Sequence, residues 1–183
     1  MNLTGQIIVS MPSLEDERFY KTVIYICAHS SEGSMGIIIN KKIDYDLYPD
    51  LLQQLGIDKP LNNKKLFIRY GGPVESGRGF VLHSDDMVRK ETLNIDKGVA
   101  LTSTAEFFDD LSKGKGPKNC ILALGYAGWQ PGQLESEIMR NSWMSLSVDN
   151  SFLFDDEVSR KWSQAYKLMG IDPNSLSFES GQA

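Results

Sequence analysis

The sequence predicts an α+β domain built on a largely antiparallel or mixed sheet. Short runs of β-branched and apolar residues recur through the chain, several joined by glycine- or serine-containing turns of hairpin length. Two stretches near 46–56 and 155–170 carry apolar residues at helical spacing between a capping aspartate and a terminating glycine. The elements alternate in kind without the strand-helix-strand rhythm of a parallel sheet.

Gly5 to Val9 make a first short strand that stops at Met11-Pro12, and the polar Ser13 to Glu17 lead to Phe19. Thr22 to His29 and Ser34 to Asn40 read as a hairpin, with Val23, Tyr25, Cys27 and His29 alternating onto one face. Asp46 is placed to cap a helix carrying Leu47, Leu51, Leu52 and Leu55 and ending at Gly56. Leu66 to Tyr70 and Gly79 to His83 suggest a second hairpin, with Gly71 to Val74 closing the first strand and Glu75 to Arg78 connecting. Short strands follow at Thr92 to Ile95 and Val99 to Thr102. A helix is expected from Thr104 to Lys113, where Ser103 and Glu106 have capping-box spacing. Trp143 to Val148 read as a strand. Asp155 would cap a last helix bearing Val158, Trp162, Ala165, Tyr166 and Met169. A single domain over 1–173 with a loose tail at 174–183 is the expected organisation.

The densest stretch is Cys120 to Trp143. Ile121 to Leu124 form an apolar strand, Gly125 and Gly128 mark an aromatic loop, Pro131 suits a first helical turn, and Gln133 to Asn141 continue helically. A loop at the end of a strand is a natural place for a ligand, so this segment is the expected functional centre.

Composition narrows the function classes. At 183 residues the chain can bury about 70% of its unfolded surface. A net charge of -5, from 24 acidic and 19 basic side chains, disfavours nonspecific attraction to phosphate backbones and anionic membranes. Cys27 and Cys120 each lie in an apolar run, as buried reduced thiols do. No apolar run approaches the roughly 20 residues of a membrane span, and a cytoplasmic location is expected.

Several residues could carry chemistry. Glu135 has Ile138 and Met139 at the next turn and is placed at the edge of an apolar face, where a carboxyl can do acid–base work. Glu137, three residues before Arg140, reads as half of a solvated surface pair. Trp129 offers either an exposed stacking surface or a cover for the sheet edge. His29 and His83 each end a strand, where hydrogen bonding is the simpler role, and their spacing matches no metal motif. The glycines match neither G-x-x-x-x-G-K-[ST] nor G-x-G-x-x-G, and no cofactor is assigned. Gly71-Gly72-Pro73 reads as a backbone device that also permits close ligand approach.

Gly5, Met11-Pro12, Phe19, Gly36 to Asn40, Gly71-Gly72-Pro73-Val74, Leu82-His83, Gly125-Tyr126-Ala127-Gly128-Trp129, Gly132-Gln133-Leu134-Glu135, Glu137, Asn141 and Trp143, in this order, resemble the YqgE/AlgH family over nearly the whole chain. The resemblance implies a compact bacterial cytosolic α+β protein with a flattened β-barrel-like sheet and outer helices. It brings no agreed catalytic residues. The label of transcriptional regulator attached to the family stems from a link to alginate production in one branch. This sequence has no basic recognition helix, so direct DNA binding is not expected.

The leading expectation is therefore a non-enzymatic regulatory or binding protein with an unidentified macromolecular or small-molecule partner and no membrane association. Its candidate surface comprises Gly125, Tyr126, Gly128, Trp129, Gln133, Glu135 and Asn141, with Gly71, Gly72, Pro73 and His83 beside them. A hydrolase-like enzyme using Glu135 or His83 is the alternative. A third reading is nucleic-acid binding through Lys64, Lys65 and Arg69, or through Lys113, Lys115 and Lys118.

Overall fold

The structure is a computed structural model that describes residues 2–43, 50, 53 and 68–176. Among these residues nine strands form one sheet: β1 Ile7–Ser10, β2 Val23–Ser30, β3 Gly33–Ile38, β4 Ile68–Tyr70, β5 Val74–Ser84, β6 Leu93–Asp96, β7 Val99–Thr102, β8 Cys120–Trp129 and β9 Trp143–Leu146. The α-helices are α1 Ala105–Ser112, α2 Gln133–Met139, α3 Asn150–Phe154 and α4 Lys161–Leu168. The helix expected over 46–56 lies outside the described residues, as do Lys64, Lys65 and most of the C-terminal tail.

The strand order is β6-β7-β5-β8-β3-β2-β1-β9. Every pair is antiparallel except β4, which lies parallel to β8, so the expected mixed, largely antiparallel sheet is present. The sheet does not close into a barrel: β6 and β9 remain its two edges. One face carries a continuous core, including Val9, Tyr25, Ile37, Phe80, Leu82 and Ile121, against which α4 packs Trp162, Ala165 and Tyr166. Trp162 Nε1–H and the Tyr166 hydroxyl both donate to the Ser10 carbonyl, at 2.9 and 3.1 Å, so the two rings bury their apolar bodies and satisfy their polar ends together. The opposite face is covered in two halves. Phe107, Phe108 and Leu111 of α1 pack on Val81, Leu122 and Leu124. Leu134 of α2, with Trp129 and Trp143, packs on Ile8, Ile24, Ile26 and Ile38.

Several expectations are corrected. The anticipated loop at Gly125 to Gly128 is strand. β8 runs through Trp129, where β3 supplies a ladder pairing Ser34 with Trp129, Met35 with Gly128 and Gly36 with Ala127. Gly125, at φ 69°, is a left-handed residue within β8 across which the alternation reverses, opposite the extra residues Glu75 to Arg78 of β5. Ile121 and Ala123 face the first core, Leu122 and Leu124 the second, yet beyond the glycine Tyr126 faces the first and Ala127 and Trp129 the opposite side.

A register shift at Cys27 acts likewise in β2, so His29 does not share a face with Val23, Tyr25 and Cys27. It lies beside Ser34 and Glu135 on the α2 side. The hairpin expected between the strand ending at Tyr70 and the one starting at Gly79 does not form, because β4 and β5 pair with opposite edges of β8. The segment Glu75 to Arg78 belongs to β5 itself.

Two helix caps differ from expectation. Thr104, not Ser103, caps α1 by accepting from the Phe107 N–H. Asp155 follows the short helix α3, which the sequence did not suggest and which Asp149 caps. Val158–Arg160 then form a 3-10 turn leading into α4.

Candidate functional site

The glycines of the candidate surface explain each other. A Cβ on Gly71 would lie 2.3 Å from the Gly125 carbonyl oxygen, and one on Gly72, at φ 152°, would lie 2.1 Å from the Tyr126 carbonyl carbon. A Cβ on Gly125 would meet the Gly72 oxygen at 2.3 Å and the Val74 oxygen at 2.8 Å. The residues form a backbone-on-backbone contact with no room for a ligand. The contact sets the path of the next residues: the chain after exposed Pro73 is pressed against β8, and Glu75 is held at φ 46°, a left-handed conformation that side-chain-bearing residues seldom adopt.

That segment forms one wall of a cleft of about 260 Å³, lined by Met35, Phe80, Leu93, Leu101 and Tyr126 with Glu75, Arg78, Glu91 and Ser103. Its apolar residues come from five strands that lie side by side, β3, β8, β5, β7 and β6. Phe80 and Tyr126 meet edge to face at 5.7 Å between ring centres. The Arg78 guanidinium lies 5.0 Å over the Phe80 ring, a favourable cation–π arrangement. It donates to Glu75 Oε2 at 3.0 Å and to Ser103 Oγ at 2.9 Å. Ser103 is available for this because Thr104 does the capping of α1. Gly128 leaves space beside Tyr126, since a Cβ there would be 3.3 Å from the ring.

The remaining candidates lie on the other face of the sheet. His29 Nδ1 is 2.8 Å from Ser34 Oγ, and His29 Nε2 is 3.5 Å from Glu135 Oε1. The Glu135 side chain is 37% exposed. Trp129 is only 8% exposed, so it is the sheet cover rather than a stacking surface. Its indole N–H donates to Glu137 Oε2 at 2.9 Å, the Trp143 indole N–H donates to the same oxygen at 2.8 Å, and Gln133 Nε2 donates to Oε1 at 2.8 Å. Glu137 is therefore a buried-side acceptor for two tryptophans, and among the described residues it forms no ion pair with Arg140. Periodicity hid this, because both indoles reach Glu137 from strands. Asn141 ends α2 at φ 58° in a Schellman arrangement: its N–H donates to the Ile138 carbonyl and that of Ser142 to the Glu137 carbonyl, each at 2.9 Å.

His83 is fully buried away from both groups. Its Nδ1–H donates to the Ser84 carbonyl at 2.9 Å, which leaves Nε2 to accept from the Thr102 hydroxyl at 2.9 Å. Thr102 in turn accepts from Thr92 at 2.8 Å. Burial, against smaller opposing contributions from the Ser84 carbonyl and nearby aspartates, holds the imidazole below its ordinary pKa. Among the described residues no group of three His, Cys, Asp or Glu is arranged to hold a metal ion.

Two of the basic residues suggested for phosphate contact, Arg69 and Lys113, are already engaged. Arg69 is 2% exposed and donates to the Ile39 carbonyl at 2.7 Å, and Lys113 pairs with Asp109. Both cysteines are thiols, Cys27 buried and Cys120 half-buried. No helix among the described residues is long and apolar enough to cross a membrane.

Of the sequence candidates only Tyr126 lines the cleft, with Gly128 beside it and Gly71, Gly72 and Gly125 supporting its wall. Arg78, Glu75, Glu91 and Ser103 were missed. The one local signal was an arginine set between two glycines, Gly77-Arg78-Gly79, in a segment read as a plain connection.

Comparison with known proteins agrees with this architecture. A UPF0301 protein of Rhodopseudomonas palustris is 49% identical over 189 residues, covering 99% of this chain and 89% of that relative. A UPF0301 protein of Bradyrhizobium diazoefficiens is 47% identical, covering 99% and 88%. The solution structure of the AlgH protein from Pseudomonas aeruginosa matches with a TM-score of 0.79 at 32% identity, over 100% of this chain and 97% of that one. A crystal structure of a Corynebacterium diphtheriae protein, at 19% identity and a TM-score of 0.69 over 92% and 87% of the two chains, shares the fold. The sequence model of the AlgH-like family matches residues 7–174, and with these relatives it establishes that the chain belongs to the AlgH-like family.

Proposed function

We propose that this chain is a non-enzymatic regulatory or binding protein of the cytoplasm that takes a small ligand in the cleft beside Tyr126. The observation that supports this reading is the convergence of Arg78, Glu75, Glu91 and Ser103 over an apolar floor of Met35, Phe80, Leu93, Leu101 and Tyr126. Small-molecule sites are concave and combine apolar surface with a few convergent polar groups, and both kinds of residue line this cleft. Glu137 and His83 have structural hydrogen bonds that account for them.

The test is thermal stabilisation by a panel of amino acids, nucleotides, phosphosugars, amines and short carboxylic acids. Wild type, Leu93→Trp and Glu135→Gln are compared, Leu93 being 46% exposed at the mouth of the cleft. A compound present at about 100 times its dissociation constant adds roughly 2.7 kcal/mol. Stabilisation lost in Leu93→Trp and kept in Glu135→Gln is expected. Stabilisation lost in Glu135→Gln instead would move the site to α2.

One observation favours a hydrolase-like enzyme as a second reading: His29 stands between Ser34 Oγ and Glu135 Oε1, as a general base stands between a hydroxyl and an orienting carboxylate. Hydrolysis of activated esters by wild type, lost in His29→Gln, would carry it. Equal background rates in both would remove it.

A further inference from the structure

Resting on the cleft reading, we infer that the ligand class is a small zwitterion with an apolar body, of the kind a free hydrophobic α-amino acid presents. The charges at the cleft come in both signs. Arg78 uses two of its five N–H donors, on Glu75 and Ser103, and with its side chain 53% exposed it retains donors for an incoming carboxylate. Glu91 is exposed at the same rim, and among the described residues its carboxylate has no hydrogen bond or ion pair. It is the complement of an ammonium.

The other classes fit less of the lining. A pure anion would meet Arg78 but also Glu75 and Glu91. A pure cation would leave the remaining donors of Arg78 unused and face its charge. Nucleotides are disfavoured by two carboxylates against one guanidinium. A zwitterion gives each ion a partner, while its body lies against Met35, Leu93 and Tyr126, the apolar lining residues that keep exposed surface. Size points the same way: the cleft volume of about 260 Å³ is below the ~300–1,000 Å³ of pockets that enclose drug-sized ligands.

The experiment titrates the full chain with L-phenylalanine, phenethylamine and N-acetylphenylalanine, which share one ring and carry both charges, the positive only and the negative only. Backbone amide shifts are followed by NMR. Phenylalanine is expected to shift Leu93, Leu101, Ser103 and Tyr126 and to bind about tenfold or more tightly than either analogue, the contribution of one charge-assisted hydrogen bond. Glu91→Gln should erase its advantage over N-acetylphenylalanine, and Arg78→Gln its advantage over phenethylamine. Because Glu91 is exposed, its variant keeps the test informative even where Arg78→Gln disturbs the cleft wall.

An analogue binding as tightly as phenylalanine, with shifts at the same residues, overturns the zwitterion and leaves the cleft standing. Silence from all three probes while another class in the thermal panel shifts the cleft residues also overturns the ligand class alone. Silence from the probes and from the whole panel removes the cleft reading as well.

Discussion

Removing the carboxylate of Glu137 should destabilise the fold far more than its surface-like sequence position suggests. Glu137 Oε2 accepts from both Trp129 Nε1 and Trp143 Nε1, and the two tryptophans are 8% and 2% exposed. Glu137→Ala leaves two largely desolvated indole N–H groups without an acceptor, at about 1–3 kcal/mol each. Water entering beside the half-buried helix offsets part of that, so a net loss of about 2–4 kcal/mol is expected. For a domain of this size it corresponds to a fall in Tm of roughly 5–15 °C. Glu137→Gln keeps one oxygen for the indoles but loses the charge, and should cost about 1 kcal/mol.

The discriminating variant is Trp143→Phe, which deletes a donor. Combined with Glu137→Ala, it should destabilise by about 1 kcal/mol or more less than the sum of the single changes, because the acceptor is no longer missed. Urea unfolding followed by far-UV circular dichroism gives all four free energies and avoids the altered tryptophan fluorescence. A Glu137→Ala cost within about 0.5 kcal/mol of zero would instead mark Glu137 as a solvated carboxylate that the two indoles do not need.

The same geometry carries other expectations. Gly72→Ala, whose Cβ would lie 2.1 Å from the Tyr126 carbonyl carbon, should cost more than about 4 kcal/mol. Gly77→Ala, with nothing within 4 Å, should lie within about 1 kcal/mol of wild type; equal urea midpoints for the two variants would contradict this. His83 has a lowered native pKa against an ordinary value of 6.5, so the unfolded chain binds the extra proton as pH falls. Stability should therefore be intact above about 6.5 and decline from there down to the native value, well before Asp16, Asp86 and Asp149, each held below 3.8, begin to titrate; a urea midpoint unchanged between pH 7.5 and 5 would be the contrary result. Burial first and the Arg69 charge second lower Lys161 from 10.5 to about 8, so stability should rise from pH 8 to 9, by at most about 1.4 kcal/mol per unit. Above 9.0 the Cys27 thiol, pushed up to about 12 by burial, opposes the rise, and a flat profile from 8 to 9 would reject the Lys161 argument.

Much of the fold was legible because it depends on local pattern. The strand Val99–Thr102 coincides with its expected bounds, and the apolar spacing of Trp162, Ala165 and Tyr166 identified the face of α4 that packs. The misreadings arose where tertiary pairing overrides local signals. Gly125 and Gly128 look like loop punctuation, yet β3 pairs with this segment and draws it into the sheet, so that Gly125 shifts the phase of a strand instead of ending it. The same kind of shift at Cys27 moved His29 to the face opposite the one alternation gave it. The cleft was largely hidden because its lining is contributed by β3, β5, β6, β7 and β8, and only Tyr126 stood out in one dimension. Arg78 gains meaning only when the Gly71-Gly72 contact with Gly125 sets the path of β5.

Whether the cleft beside Tyr126 takes a ligand is decided by soaking crystals of the full chain with a mixture of small amino acids, amines and carboxylic acids and finding where density appears. An occupant is expected between Arg78 and Tyr126, beside Leu93, with no compound at the Gly71–Gly125 contact. Density confined to the α2 side, around Ser34, Glu135 and Gln133, with an empty cleft, would contradict it.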